Sequence, residues 1–215
     1  MEALYTEDEL KEDICRVMGA LYRRGLVSAL GGNVSARIPG SEEFWVTPSG
    51  VFKGELDPDD LVKLDLDLNI VDGILRPSIE SPLHAAIYKV RPDVNAVIHA
   101  HNPFTLGLAL AGIPIKPITV EEVAVLRRVD IVPFAFPGTD KLARLVADAI
   151  SKGGRALILQ NHGVVAVGSN LVEAEAVVET LEEVAIAEFV CHALGKEPPL
   201  IPEREVELYR KLYGF

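Results

Sequence analysis

Cysteine is scarce in this chain: Cys15 and Cys191 are the two in 215 residues, each within its own helical pattern. Two isolated thiols exclude a disulfide framework and a thiolate metal site. Positive charge is also short, with 21 Lys and Arg against 32 Asp and Glu and a formal net charge of −11. A surplus of this sign repels phosphate backbones and anionic membranes, so neither nucleic acid nor a membrane is an expected partner. No apolar run approaches the roughly eighteen residues of a membrane-spanning helix. The opening Met1-Glu2-Ala3-Leu4-Tyr5-Thr6-Glu7 is acidic and lacks the basic and apolar regions of a signal peptide, so a cytoplasmic protein is expected. With 49% hydrophobic and 25% charged residues, and no repeat or linker, residues 1–215 read as one globular domain.

Start and stop signals divide the chain into helices and strands. Thr6-Glu7-Asp8-Glu9 is a capping box, after which Leu10, Ile14, Val17 and Leu21 repeat at helical spacing until Gly25. Residues 30–38 and 44–47 read as a hairpin across Pro39-Gly40-Ser41, followed by a turn at Pro48-Ser49-Gly50 and a short strand over 62–66. Ser81-Pro82 predicts an N-cap with proline first in a helix that runs to about Val90, and Asn102-Pro103 repeats that signal. Thr139 heads an amphipathic helix that ends at Gly153-Gly154, and Asn170-Leu171-Val172-Glu173 opens a long helix that reaches Gly195. Between them, 156–159 and 164–167 read as buried strands. Pro198-Pro199 then separates a last amphipathic helix that ends at Tyr213. Glu121-Glu122 reads as a helix start in preference to a pocket lining, and His84, four residues after Glu80, as a buried, hydrogen-bonded helix histidine in preference to a partner of Glu80. Hairpins mixed with helices predict an α/β fold whose sheet contains antiparallel pairs.

Four side chains stand out chemically. His99 and His101 lie two apart on an apolar strand, where alternate residues share a face and both imidazoles can reach one ion. Glu80 precedes a helix, and His162 sits in the turn between two strands. Three imidazoles and a carboxylate with no cysteine near suit catalytic Zn²⁺. Gly32 and Gly50 fit either plain turns or close backbone approach to an anion.

Five segments, Gly31-Gly32-Asn33-Val34-Ser35, Thr47-Pro48-Ser49-Gly50, Pro77-Ser78-Ile79-Glu80, Val97-Ile98-His99-Ala100-His101 and Asn161-His162-Gly163, follow one another over nearly the whole chain. In order and spacing they resemble the class II aldolase/adducin family, especially its zinc-dependent fuculose-1-phosphate aldolases. The resemblance implies a three-layer α/β/α fold with a mostly antiparallel central sheet, and a four-fold symmetric homotetramer with active sites between subunits. It implies one Zn²⁺ per subunit on His99, His101 and His162, with Glu80 as a resting ligand that swings away to act as general acid/base. Gly32, Asn33, Ser49, Gly50 and Ser78, with neighbouring Ile79, fall where the family binds the substrate phosphate. Tyr213 matches a C-terminal tyrosine that enters the neighbouring subunit's site.

The activity so implied is reversible cleavage of a ketose 1-phosphate, L-fuculose 1-phosphate or similar, to dihydroxyacetone phosphate and an aldehyde. Ile79 stands where the aldolase pattern has a second serine, Val120 where it has tyrosine, and Pro137 where it has phenylalanine. These departures bear on the substrate more than on the chemistry. The same superfamily holds ribulose-phosphate 4-epimerases, which have aspartate at the position of Glu80, and methylthioribulose-phosphate dehydratases. It also holds adducin-like binding modules, which lack the full histidine set.

Overall fold

The computed structural model describes residues 6–213, the side chain of Tyr213 excepted. An eight-stranded sheet runs through it in the order β4-β3-β2-β1-β5-β8-β7-β6. The strands are β1 (Asn33–Ala36), β2 (Glu43–Val46), β3 (Val62–Asp65), β4 (Ile70–Asp72), β5 (Ala96–Ala100), β6 (Val129–Val132), β7 (Ala156–Leu159) and β8 (Gly163–Gly168). Every neighbouring pair is antiparallel except β6 with β7. The expected mostly antiparallel sheet is therefore present.

Helices cover both faces. Alternate residues of the central strands, including Val34, Ile98, Ile158 and Val164, pack with α1 (Glu7–Arg23) and α6 (Leu171–Ala193) in one core. Their neighbours Val97, Leu157 and Val165 pack on the other face with α2 (Ser81–Val90) and α5 (Asp140–Ile150). Period-two alternation thus divides each strand between two apolar layers, giving the expected α/β/α arrangement. No described helix is long and apolar enough to cross a membrane.

The local signals act as chemistry requires. Thr6 accepts the Glu9 amide at 3.2 Å while the Glu9 carboxylate accepts the Thr6 amide at 2.8 Å, closing the capping box of α1. Thr119, Thr139 and Asn170 cap α4 (Val120–Leu126), α5 and α6 with their side chains. Glu121 and Glu122 accordingly lie in the first turn of α4. The last helix, α7 (Glu203–Tyr213), packs on α4.

Several boundaries differ from those read off the sequence. The N-cap of α2 is Glu80 rather than Ser81, and Ser81 instead donates its hydroxyl to the Ser78 carbonyl at 2.8 Å. The first strand contracts to Asn33–Ala36, because Leu30 is exposed and Gly32 takes a left-handed φ of +80°. β4 and β6 went unread: β4 is three exposed residues with no alternation, and β6 is an edge strand with only Val132 buried.

α3 (Pro103–Leu110) has an unusual start. Asn102 gives it no side-chain cap, since its amide donates to the Val178 carbonyl at 2.9 Å. Glu182 of α6 takes over, accepting the Phe104 and Thr105 amides at 2.8 and 3.0 Å and the Thr105 hydroxyl at 2.9 Å. A buried carboxylate at a helix N-terminus satisfies orphan amides and complements the helix dipole. Replacing Glu182 with Ala leaves those donors unpaired and should cost about 1–3 kcal/mol of stability. Urea unfolding checks this, and an unchanged midpoint would show that the contact contributes nothing.

Candidate metal centre and active site

The sheet register assembles the site. Asn33 on β1 is the cross-strand partner of His99 on β5, and His99 is in turn the partner of Val165 on β8. The turn joining β7 to β8 carries His162 to the same end of the sheet, with Asn161 in a left-handed conformation at φ 60°. His101 follows the end of β5, and its amide donates to the Leu26 carbonyl at 2.7 Å. Glu80 arrives at the start of α2, from the helical layer that covers the face His99 shares with Val165. Gly163 makes the close approach possible, because a β-carbon there would strike the Ala100 carbonyl and crowd both His99 and His101.

The geometry brings together all four residues expected to bind metal. One ligating nitrogen from each of His99, His101 and His162 falls within 4.8 Å of the others. His99 Nε2 lies 3.1 Å from His101 Nε2 and 3.1 Å from Glu80 Oε2, and His162 Nε2 lies 3.5 Å from Glu80 Oε1. His99 Nδ1 is 2.9 Å from the Val164 carbonyl, so it must carry the proton, leaving a lone pair on Nε2. Burial pushes all three imidazoles below their ordinary range, and for His99 the neighbouring His101 and His162 push further the same way. Neutral imidazoles beside a carboxylate form a cluster of acceptors that a divalent cation balances. Glu80 Oε1, buried and without a hydrogen-bond donor among the described residues, fits the same reading. The donor set therefore suits a zinc-like ion.

A family model for the class II aldolase and adducin N-terminal domain matches residues 12–188. The chain belongs to this family. It is 35% identical to the L-fuculose phosphate aldolase of Methanocaldococcus jannaschii, over 81% of this chain and 93% of that protein. It is 33% identical to the 3-oxo-tetronate 4-phosphate decarboxylase of Escherichia coli strain K12, over 89% of this chain and 90% of that protein. Among solved structures, an L-fuculose 1-phosphate aldolase matches with a TM-score of 0.88 at 31% identity, covering 96% of this chain and 97% of the other.

Of the remaining candidates in this class II aldolase relative, Asn33 and Ser78 touch Glu80. Asn33 is buried, and its Nδ2 donates to Glu80 Oε2 at 3.0 Å. Ser78 is buried and accepts the Glu80 amide through its hydroxyl at 3.2 Å, while the Ile79 side chain is exposed. The Thr47–Gly50 loop lies against the segment leading to Glu80, through a bridge between Pro48 and Pro77 and the Ser49 amide donating to the Arg76 carbonyl at 2.8 Å. With that amide occupied, Ser49 has its hydroxyl to offer a ligand. Gly50 is exposed, with φ +73°. Val120 and Pro137 are also exposed. The side chain of Tyr213 lies outside the described residues.

Sequence reasoning missed Lys53. Its side chain is 2% exposed and its Nζ donates to the Pro48 carbonyl, with burial lowering its pKa to about 8. The signal was available as a lone cation three residues after a glycine turn, but burial is not readable from that spacing. The metal ligands generate a direct prediction. Protein loaded with Zn²⁺ should carry about one ion per chain, and His99→Ala should retain less than about a tenth of it while keeping its far-ultraviolet circular dichroism. Elemental analysis of a folded His99→Ala protein that still holds the full complement would remove His99 from the ligand set.

Proposed function

We propose that the protein is a zinc-dependent class II aldolase that reversibly cleaves a ketose 1-phosphate, L-fuculose 1-phosphate or similar, to dihydroxyacetone phosphate and an aldehyde. The observation that carries this reading is the Glu80 carboxylate held against the histidine cluster, 3.1 Å from His99 and 3.5 Å from His162. When bound by His99, His101 and His162, a divalent ion supplies Lewis acidity toward a carbonyl oxygen.

Cleavage breaks the C3–C4 bond. The C4 hydroxyl loses its proton to become the aldehyde, and the bonding pair stays on the three-carbon fragment as an enediolate. Glu80 delivers a proton to the enediolate carbon, giving dihydroxyacetone phosphate, and removes it in the condensation direction. Tyr213, in the neighbouring subunit of a homotetramer, is assigned the hydroxyl proton. Gly32, Asn33, Ser49, Gly50, Ser78 and Ile79 are assigned to the phosphate. The buried Lys53 charge behind the Thr47–Gly50 loop favours an anion there despite the chain's net charge of −11.

A second reading draws on the 33% identity to the decarboxylase. Loss of CO₂ from a 3-oxo-tetronate 4-phosphate leaves the same three-carbon enediolate, so one site can serve either leaving group. Assaying a panel of ketose 1-phosphates and 3-oxo-tetronate 4-phosphate for both dihydroxyacetone phosphate and CO₂ separates the two. Triose phosphate with an aldehyde and no CO₂ is the expected outcome. Glu80→Gln should lower kcat roughly 10²–10⁴-fold with zinc retained. Undiminished turnover by that variant would exclude Glu80 as the proton carrier.

The shared site has its own test. Tyr213→Phe should lower turnover and spare metal content, and hybrids co-assembled from Tyr213→Phe and Glu80→Gln chains should exceed both parents in activity, since some interfaces then hold both intact residues. Mass-verified hybrids with no gain would place both residues' work within one chain or remove Tyr213 from it.

A further inference from the structure

A chain of buried hydrogen bonds runs from the interior of the sheet to Glu80. The Tyr88 hydroxyl is 2.7 Å from Ser35 Oγ, and Ser35 Oγ is 2.7 Å from His84 Nδ1. His84 Nε2 contacts Asn33 Oδ1, and Asn33 Nδ2 is 3.0 Å from Glu80 Oε2. Tyr88, Ser35, His84 and Asn33 are all at most 3% exposed. The far end is fixed in turn: the Arg37 guanidinium lies 4.6 Å from the centre of the Tyr88 ring and donates to the Val94 carbonyl at 3.0 Å.

The donors in this chain can be worked out from its last member. A carboxylate only accepts, so Asn33 must turn its NH₂ toward Glu80 and its Oδ1 toward His84. Oδ1 also only accepts, so His84 carries its proton on Nε2. A neutral imidazole with Nε2–H has a lone pair on Nδ1, which therefore accepts from Ser35. With its single proton spent, the Ser35 oxygen accepts from Tyr88. Burial favours the same states, lowering His84 to about 3 and raising the Tyr88 phenol. Every proton along the chain points toward the carboxylate, an alignment in which successive hydrogen bonds polarise one another.

We propose that His84 is a positioning residue for Glu80: through its Nε2–H it locks the Asn33 amide with Nδ2 toward the carboxylate, and so sets the orientation from which Glu80 transfers its proton. Without that donor the amide can rotate and present Oδ1 to the carboxylate, an acceptor facing an acceptor. The proposal rests on the acid/base role of Glu80 given above, but its geometry does not require turnover to be seen.

Two measurements test it. In metal-free protein at neutral pH, long-range ¹⁵N–¹H correlation spectra should show His84 as the Nε2–H tautomer, and the Asn33 Nδ2 protons should shift in Glu80→Gln. An Nδ1–H tautomer, or unmoved Asn33 protons, would overturn the relay. In zinc-loaded protein, His84→Leu should lower kcat roughly 10- to 100-fold with KM and zinc content within about twofold of the parent. His84→Gln, which keeps an N–H donor for Asn33, should recover most of the loss. A His84→Leu enzyme with parental kcat, or a folded, zinc-loaded His84→Gln no better than His84→Leu, would refute the positioning role. If the parent cleaves none of the sugar phosphates while the tautomer and the Asn33 shift are as expected, the aldolase reading fails and the relay stands.

Discussion

Everything at the reactive end of the sheet depends on acceptors being forced together. His99 Nε2 lies 3.1 Å from both His101 Nε2 and a Glu80 oxygen, where neutral nitrogens and a carboxylate have no mutual attraction to hold them. The surrounding fold supplies the constraint: β5 between β1 and β8, the Val164 carbonyl on His99, the Leu26 carbonyl on the His101 amide, and Asn33 on Glu80. A bound divalent cation would offset the cost of this crowding, as is common where a fold preorganises a site. The two apolar layers beneath β5 and β8 keep the strands from relaxing away from one another.

Much of this was legible in the residues, for reasons that differ by element. The capping box at Thr6 and the side-chain caps at Thr139 and Asn170 are local chemistry, and the helices start there, although Glu173 accepts the Ser169 amide rather than closing a box on Asn170. The His-x-His spacing fixed a shared face in advance, because strand periodicity is geometric. What stayed hidden depended on partners distant in sequence. β6 exists because it pairs in parallel with β7, and the cap of α3 comes from Glu182, 78 residues away from Phe104 in sequence. Glu80 as the N-cap of α2 was displaced by one residue from the Ser81-Pro82 signal, since its side chain serves the histidines instead of the helix. The resemblance marks Asn33 for phosphate binding alone, and its bonds to Glu80 and His84 appear once β1 and α2 are packed together. Lys53 and Tyr88 carried no motif at all.

The relatives share the architecture at about a third sequence identity yet bear names for different leaving groups. The family and the fold therefore do not by themselves fix the leaving group. Val120 and Pro137 are exposed on the segment between β5 and α5, well separated in sequence from the histidine strand. Gly138, next to Pro137, approaches the Ile79 carbonyl, so this segment lies against the residue that precedes Glu80.

The register of β1 against β5 has a consequence for how such an enzyme can be altered. Asn33 and His99 face each other as strand partners, and both belong to the side of the sheet that carries Glu80. A single-residue insertion or deletion inside β1 or β5 would exchange inward and outward faces, sending Asn33 or the imidazole into the α1–α6 layer and valine or isoleucine toward the histidine cluster. Length changes are therefore confined to the connections at the opposite end of these strands, such as Pro39-Gly40-Ser41 and the edge segment around β4. Designed variants can be spliced there, while the frame of the three central strands must be kept whole.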